Sequence, residues 1–306
     1  MIIICKTHSG MCNRLIPFIT SLRLSRVLNA KFYLNWNDDC RDIDYPYKGE
    51  KTKYIDMFEK IDDINYINDE ETKNLLKINK KIMVLNIYQK ITCNVEKLKK
   101  YSLIYFNSLC HPIYLKEDNI DFKNYSSIDW VKSDYGKSLN EYFDMLKPSR
   151  EVIGKIRKVS SIFPKDVIGL HLRHWPGGWL KQNKHLVENS FIRVTEFIFS
   201  KIKENSDVKF FISTTDFNKI KKLEELYGEH IIYYKDRFGE CEDDMYYLED
   251  QTKSTCNRYK NMNGVVDLYL LSKCDEIVID TSSSFSLAAL LMNKDTKINL
   301  LNHKNY

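Results

Sequence analysis

Four short apolar runs in the second half of the sequence, "DVIGLHLR", "VKFFIS", "HIIYY" and "EIVID", set the tightest limit on the fold. Each has strand length and is dominated by β-branched or aromatic residues. Between them lie "SFIRVTEFIFSKI", "FNKIKKLEELYG" and "GVVDLYLLSKC", followed by "SFSLAALLM", all patterned as helices. This alternation predicts a parallel sheet with helices on both faces. Such sheets bind ligands beyond the carboxyl ends of their strands. Polar stretches stand at four such ends: "HLRHWPGG", "STTD" and "DTSSS" here, and "THSGMCN" after the first strand of the chain.

That first strand is Ile2-Ile3-Ile4-Cys5. Leu15, Phe18, Ile19 and Leu22 then share one face of a helix, with Pro17 read in its first turn, where proline is tolerated. "KFYLNW" follows as a strand, completing a βαβ opening. Residues from about 37 to 145 parse less cleanly, as a charged helix "DEETKNLLKINKK" and short strands "KIMVLNIY" and "YSLIYF". Pro148 stops one helix and Ser149 is placed as the N-cap of the next. The expected organisation is a bilobal α/β protein, with two Rossmann-like domains, residues 1–148 and 149–306, facing a central cleft.

Composition agrees and narrows the partners. The 306 residues suit two domains, and 43% hydrophobic residues suffice for their cores. A net charge of +5 without a basic cluster points away from nucleic acid. The eight cysteines form no C-x-x-C pair, the amino terminus reads as a strand and not as a signal peptide, and no apolar run reaches roughly 18 residues. The chain is therefore expected to be cytoplasmic with reduced thiols and no membrane span, with peripheral membrane contact left open.

Arg173 offers a planar fork of donors suited to phosphate. Gly177 and Gly178 follow Pro176 in a predicted turn that lets backbone approach a ligand. Thr281, Ser282, Ser283 and Ser284 precede an apolar helix, as an anion site or as an N-capping cluster without ligand. Asp216 reads first as the cap of the helix that closes at Gly228. Asp267 interrupts an apolar helix, as a solvated edge carboxylate or as an acceptor for a guanine edge. His171 is a ligand contact or a satisfied core histidine. Asp42-Ile43-Asp44 forms a D-x-D in a polar loop, and residues 240–244 are acidic without ligand spacing, so no metal requirement is expected.

Taken in order, these stretches resemble a known family. "GMCNRLIPFITSLRLSRVLNAKFYLNW" resembles the G-x-x-N-R-L signature of the nodulation α1,6-fucosyltransferases and related GDP-fucose-dependent enzymes. "GLHLRH" resembles their H-x-R motif, "FISTTD" their strand ending in Thr-Asp, and "VVDLYLLSKCDEIVIDTSSSFSLAA" their last motif. Pro176 stands where many relatives carry an aspartate. The resemblance implies a GT-B fold and an inverting, metal-independent transfer of L-fucose from GDP-β-L-fucose to a glycan hydroxyl. It implies Arg173 at the β-phosphate, His171 and Asp267 at the guanosine, and Ser283 and Ser284 near the diphosphate. Asn13 would lie in the loop facing the sugar, and Arg14, Asp216 and Ser282 complete the donor-binding set. The N-terminal domain would face the acceptor and the C-terminal domain would hold the donor. Glu188 and His174 follow the arginine motif and are the candidates for a general base, the alternative being that the GDP phosphate or water takes the proton. Residues 235–263, about 29 in number, are read as a lid over the donor or as a flexible insertion. The competing readings are a GT-B enzyme for another nucleotide sugar and an inactive nucleotide-sugar or glycan binder.

Overall fold

The computed structural model describes residues 1–7, 10–36, 52–86, 91–109, 111–118, 120, 127–172, 177–238, 257–279, 283–293 and 295–300. Side chains at 108, 109, 127, 128, 130, 177–189, 238, 257–260 and 300 lie outside that description. The chain forms two compact units that divide between Ser149 and Arg150.

In the first unit, β1 (Ile2–Thr7), β2 (Lys31–Trp36), β3 (Asn65–Tyr66), β4 (Ile82–Asn86) and β6 (Leu103–Leu109) form a parallel sheet in the order β3-β2-β1-β6-β4. β5 (Ile91–Cys93) and β7 (Ile113–Leu115) make a separate two-stranded parallel ladder. The helices are α1 (Met11–Val27), α2 (Tyr54–Met57), α3 (Asp69–Ile78), α4 (Val95–Leu98), α5 (Ser127–Lys132) and α6 (Asp134–Asp144). Asn68 caps α3 in a reciprocal box with Glu71. Leu75 and Leu76 of α3 pack on Ile4, Leu103 and Tyr105. α1 begins at Met11, so Pro17 is interior and not in the first turn. Its ring nitrogen offers no N–H to the Asn13 carbonyl. The Thr20 hydroxyl donates back to the Pro17 carbonyl at 3.2 Å, and α1 is buried along most of its length. At the end of the unit, Pro148 bridges Phe58, and the Ser149 N–H donates to the Met57 carbonyl at 2.9 Å. The Ser149 hydroxyl donates to the Asp56 carbonyl at 2.9 Å.

The second unit carries β8 (Ile168–Leu172), β9 (Phe210–Thr214), β10 (Ile231–Ile232), β11 (Glu276–Ile279) and β12 (Lys297–Leu300), all parallel in the order β10-β9-β8-β11-β12. Its helices are α7 (Arg150–Ser160), α8 (Gly177–Glu204), α9 (Phe217–Tyr227), α10 (Asn257–Ser272) and α11 (Ser284–Met292). On one face of the sheet Ile168, Leu170, Leu172, Phe210 and Ile212 pack against Val194 and Ile198 of α8 and Ile220 and Leu223 of α9. The alternate residues Gly169, His171, Phe211 and Ser213 face α10 and α11. Gly177 and Gly178, expected in a turn, instead begin α8, which runs unbroken to Glu204. A proline just ahead of a helix costs no internal hydrogen bond, so the glycines are carried into the first turn.

α10 sits so close to β8 that a Cβ on Gly169 would lie 2.6 Å from Cδ1 of Leu271 and 2.9 Å from Sγ of Cys274. Both neighbours are fully buried and cannot swing out. Gly169→Ala is expected to lower stability by about 1–3 kcal/mol through overpacking, read as a lower urea midpoint at unchanged m-value.

Candidate functional site

The strand order of the second unit reverses between β8 and β11, where the connections leave to opposite sides. A crevice opens beyond the carboxyl ends at such a switch point. β8 delivers His171 there, one residue before its end. The Nδ1 atom of His171 lies 2.7 Å from the Ser286 hydroxyl, and its ring packs at a 35° tilt against Phe285, 4.8 Å between centroids. Both partners belong to the first turn of α11, which follows β11. The imidazole is thus fixed by the strand on one side of the switch and the helix on the other. Ser283, 2% exposed, is the N-cap of α11, but its hydroxyl makes no cap bond, so the side-chain capping expected of it is not used. Ser284 begins the helix and is half-buried. An N-terminal helix turn with serine hydroxyls favours an anion.

Ser213 is the register partner of His171 on β9. Its hydroxyl donates to the Asp267 carboxylate at 3.3 Å, and the same carboxylate oxygen takes a charged hydrogen bond from Arg237. Asp267 is 1% exposed, so the solvated-edge alternative for it is overturned. Burial pushes its carboxyl up from 3.8 to about 6, against the guanidinium and the Ser213 hydroxyl, which pull it down. α10 reaches back to Asn257, well before the "GVVDLYLLSKC" segment, so the lid expected over 235–263 begins and ends in ordered structure. Residues 239–256 of it lie outside the described residues.

Asp216 acts as the sequence suggested first. Its side chain accepts from the backbone of Asn218 and Lys219 and caps α9. The Lys219 ammonium stands 3.9 Å away. In the first unit, Asn13 is half-buried in the first turn of α1. Arg14, 2% exposed, lays its guanidinium 5.2 Å over the Trp36 ring. Trp36 pairs in register with Thr7 at the carboxyl ends of β2 and β1, and Trp36 Nε1 and Thr7 Oγ1 are buried without a hydrogen-bond partner.

Arg173, His174 and Ser282 lie outside the described residues, and Glu188 falls in the part of α8 whose side chains are not described. The structure therefore gathers His171, Ser283 and Ser284 at one switch point of the second unit. Asn13 and Arg14 belong to the first unit. Ser286, Phe285, Arg237 and Trp36 escaped the sequence reading as site residues, and Ser213 entered it only within the polar stretch "STTD". Only Ser286 carried a local signal, as the next hydroxyl after Ser284. Among the described residues no three His, Cys, Asp or Glu side chains converge as a metal site, and no helix is long and apolar enough to cross a membrane. The D-x-D at 42–44 and the acidic run at 240–244 lie outside the described residues.

No protein-family model matches the chain, and no curated protein matches it in sequence. Solved structures do match. The Bradyrhizobium fucosyltransferase NodZ is 14% identical with a TM-score of 0.55, covering 95% of this chain and 92% of its own. POFUT1 in complex with GDP-fucose is 12% identical with a TM-score of 0.57, covering 99% and 98%. A variant of Arabidopsis thaliana FUT1 in complex with GDP is 12% identical with a TM-score of 0.54, covering 98% and 69%. The chain has the α/β fold of these enzymes, of the GT-B type, as the sequence predicted.

Two outcomes test the buried charge pair. Asp267→Ala removes the buried carboxylate that meets the Arg237 guanidinium and is expected to cost about 3–5 kcal/mol, while a joint Arg237→Met, Asp267→Leu variant costs far less than the two single truncations added together. The raised carboxyl holds a proton in the folded state that the unfolded chain releases between about pH 4 and 6. Its contribution to stability is therefore present below about pH 4 and lost as pH rises through about 6. Asp267→Asn should remove that slope from a plot of urea midpoint against pH.

Proposed function

We propose that the protein is a glycosyltransferase that moves L-fucose from GDP-β-L-fucose to a glycan hydroxyl, with inversion and without a required metal. One observation carries this reading. The switch point of the second unit presents a fixed imidazole and a serine-lined helix start, in a fold whose NodZ representative was solved with GDP-fucose soaked in. The second unit would hold the donor and the first would contribute the acceptor side.

In this reading Arg173 follows Leu172 at the end of β8 and meets the charge that grows on the departing GDP. The start of α8, four residues on, adds its N-terminal dipole. His171, locked by Ser286 and Phe285, lines the guanosine side with Asp267, which acts from behind Ser213. Ser282, Ser283 and Ser284 border the diphosphate, and Asn13, with Arg14 held over Trp36, belongs to the sugar-facing turn. Glu188 or His174 takes the acceptor proton. The cytoplasm is the compartment we assign, because the four described cysteines are free and buried, and burial pushes the Cys5 and Cys93 thiols up to about 12.

A thermal-shift panel of GDP-, UDP- and ADP-sugars, followed by a glycan array incubated with GDP-fucose, tests the reading. GDP-fucose is expected to raise the midpoint most, because it binds only the native state. Mass gain on a glycan identifies the acceptor. Stabilisation by UDP- or ADP-sugars alone transfers the reading to another donor, and binding without turnover on any acceptor removes the enzyme. Arg173→Ala and Arg173→Lys are both expected to lower turnover by about 10²–10³, since lysine cannot fork. Retained wild-type turnover in either strips Arg173 of its role.

A further inference from the structure

Arg193 lies on α8 next to Val194, which packs against the sheet. Its Nε and Nη2 atoms are buried from solvent, and neither has a hydrogen-bond partner. Arg193 as a whole is half-buried, but a guanidinium stays charged at every physiological pH, and leaving two of its N–H-bearing atoms buried without acceptors is unfavourable. These two nitrogens form one edge of the planar group, with N–H bonds pointing the same way. That edge grips two oxygens of a phosphate or carboxylate at once.

The helix sets where the edge is held. Lys201 feels the negative charge of Glu276, which opens β11 at the amino end of the sheet. Climbing α8 from Lys201 back to Arg193 covers about 12 Å at ~1.5 Å per residue. Climbing β8 from Ile168 to Leu172 covers about 13 Å at ~3.3 Å per residue. Arg193 therefore stands level with the carboxyl edge of the sheet. Long side chains on a helix lean toward its N-terminus, which here is the direction of the carboxyl edge.

We infer that the Nε–Nη2 edge of Arg193 receives a phosphate oxygen pair of the nucleoside diphosphate bound at the carboxyl edge. The inference rests on the nucleotide-sugar reading above and deepens it, by giving the diphosphate a second fork on a different element from Arg173. The unliganded protein carries the fork unpaired, and the ligand satisfies it.

Calorimetric titration of the full chain with GDP, UDP, ADP, inorganic pyrophosphate and the matching nucleosides tests this. The proteins compared are wild type, Arg193→Met and Arg193→Lys. Wild type is expected to bind a nucleoside diphosphate. Arg193→Met should weaken that diphosphate and pyrophosphate by about tenfold or more, with the nucleoside changed by less than about twofold. Arg193→Lys keeps the charge but not the fork and should weaken the diphosphate too. The unliganded Met variant should melt at or above the wild-type midpoint, because two buried nitrogens without acceptors have gone. Unchanged diphosphate affinity in Arg193→Met overturns the inference while leaving the nucleotide reading intact. A lower midpoint or failure to fold overturns it as well, since the fork is then structural. Wild type that binds none of the diphosphates overturns the nucleotide reading itself, and this inference with it.

Discussion

The seating of α10 on β8 is the contact from which the second unit is built. Gly169 leaves no room for even one methyl group beneath Leu271 and Cys274. Four residues of helix rise about 6 Å and two residues of strand rise about 6.6 Å. Once Leu271 is pinned over Gly169, Asp267 one turn earlier must lie level with His171 and its register partner Ser213. The hydrogen bond from Ser213 to Asp267 confirms that registration. A packing constraint in the apolar middle of the sheet thus decides which polar groups meet at its edge.

The two faces of that sheet divide the work. On the α8 and α9 face, alternate residues build a continuous apolar layer, which holds the strands rigid. On the α10 and α11 face, apolar Gly169 and Phe211 give way to polar His171 and Ser213 one pleat nearer the carboxyl edge. Each of those two is met by a partner from a helix, Ser286 for His171 and Asp267 for Ser213. Arg237, brought in by the 3₁₀ turn Lys235–Phe238, balances the Asp267 charge. Burying a carboxylate costs less with a cation and a hydroxyl in contact, so all three belong to one arrangement.

How much of this was legible follows from how local each signal is. Asp216 was readable as a cap because its partners, Asn218 and Lys219, are two and three residues away. β8, β9 and β11 were readable because burial on both faces makes them largely apolar. β4 was harder, since it is an edge strand whose Val84 is 50% exposed, and β3 is only two residues long. β12 was missed because it lies at the other edge and is short and mixed in character. The glycines at 177 and 178 misled, because glycine signals a turn and a helix start equally well. Arg237 with Asp267, and His171 with Ser286, are joined only by folding, across 30 and 115 residues.

By itself the sequence determined the alternation of strands and helices, the division near Ser149 and the set of polar residues that stand at strand ends. These depend on period, capping and chain connectivity, which are written along the chain. Tertiary structure alone decided strand order, and with it the switch point between β8 and β11. It also decided that Asp267 is buried against Arg237, that His171 is oriented by Ser286, and that Arg193 holds an unpaired fork. Each of those depends on which surfaces come within a few ångströms of one another, and that is set by close packing between elements distant in sequence.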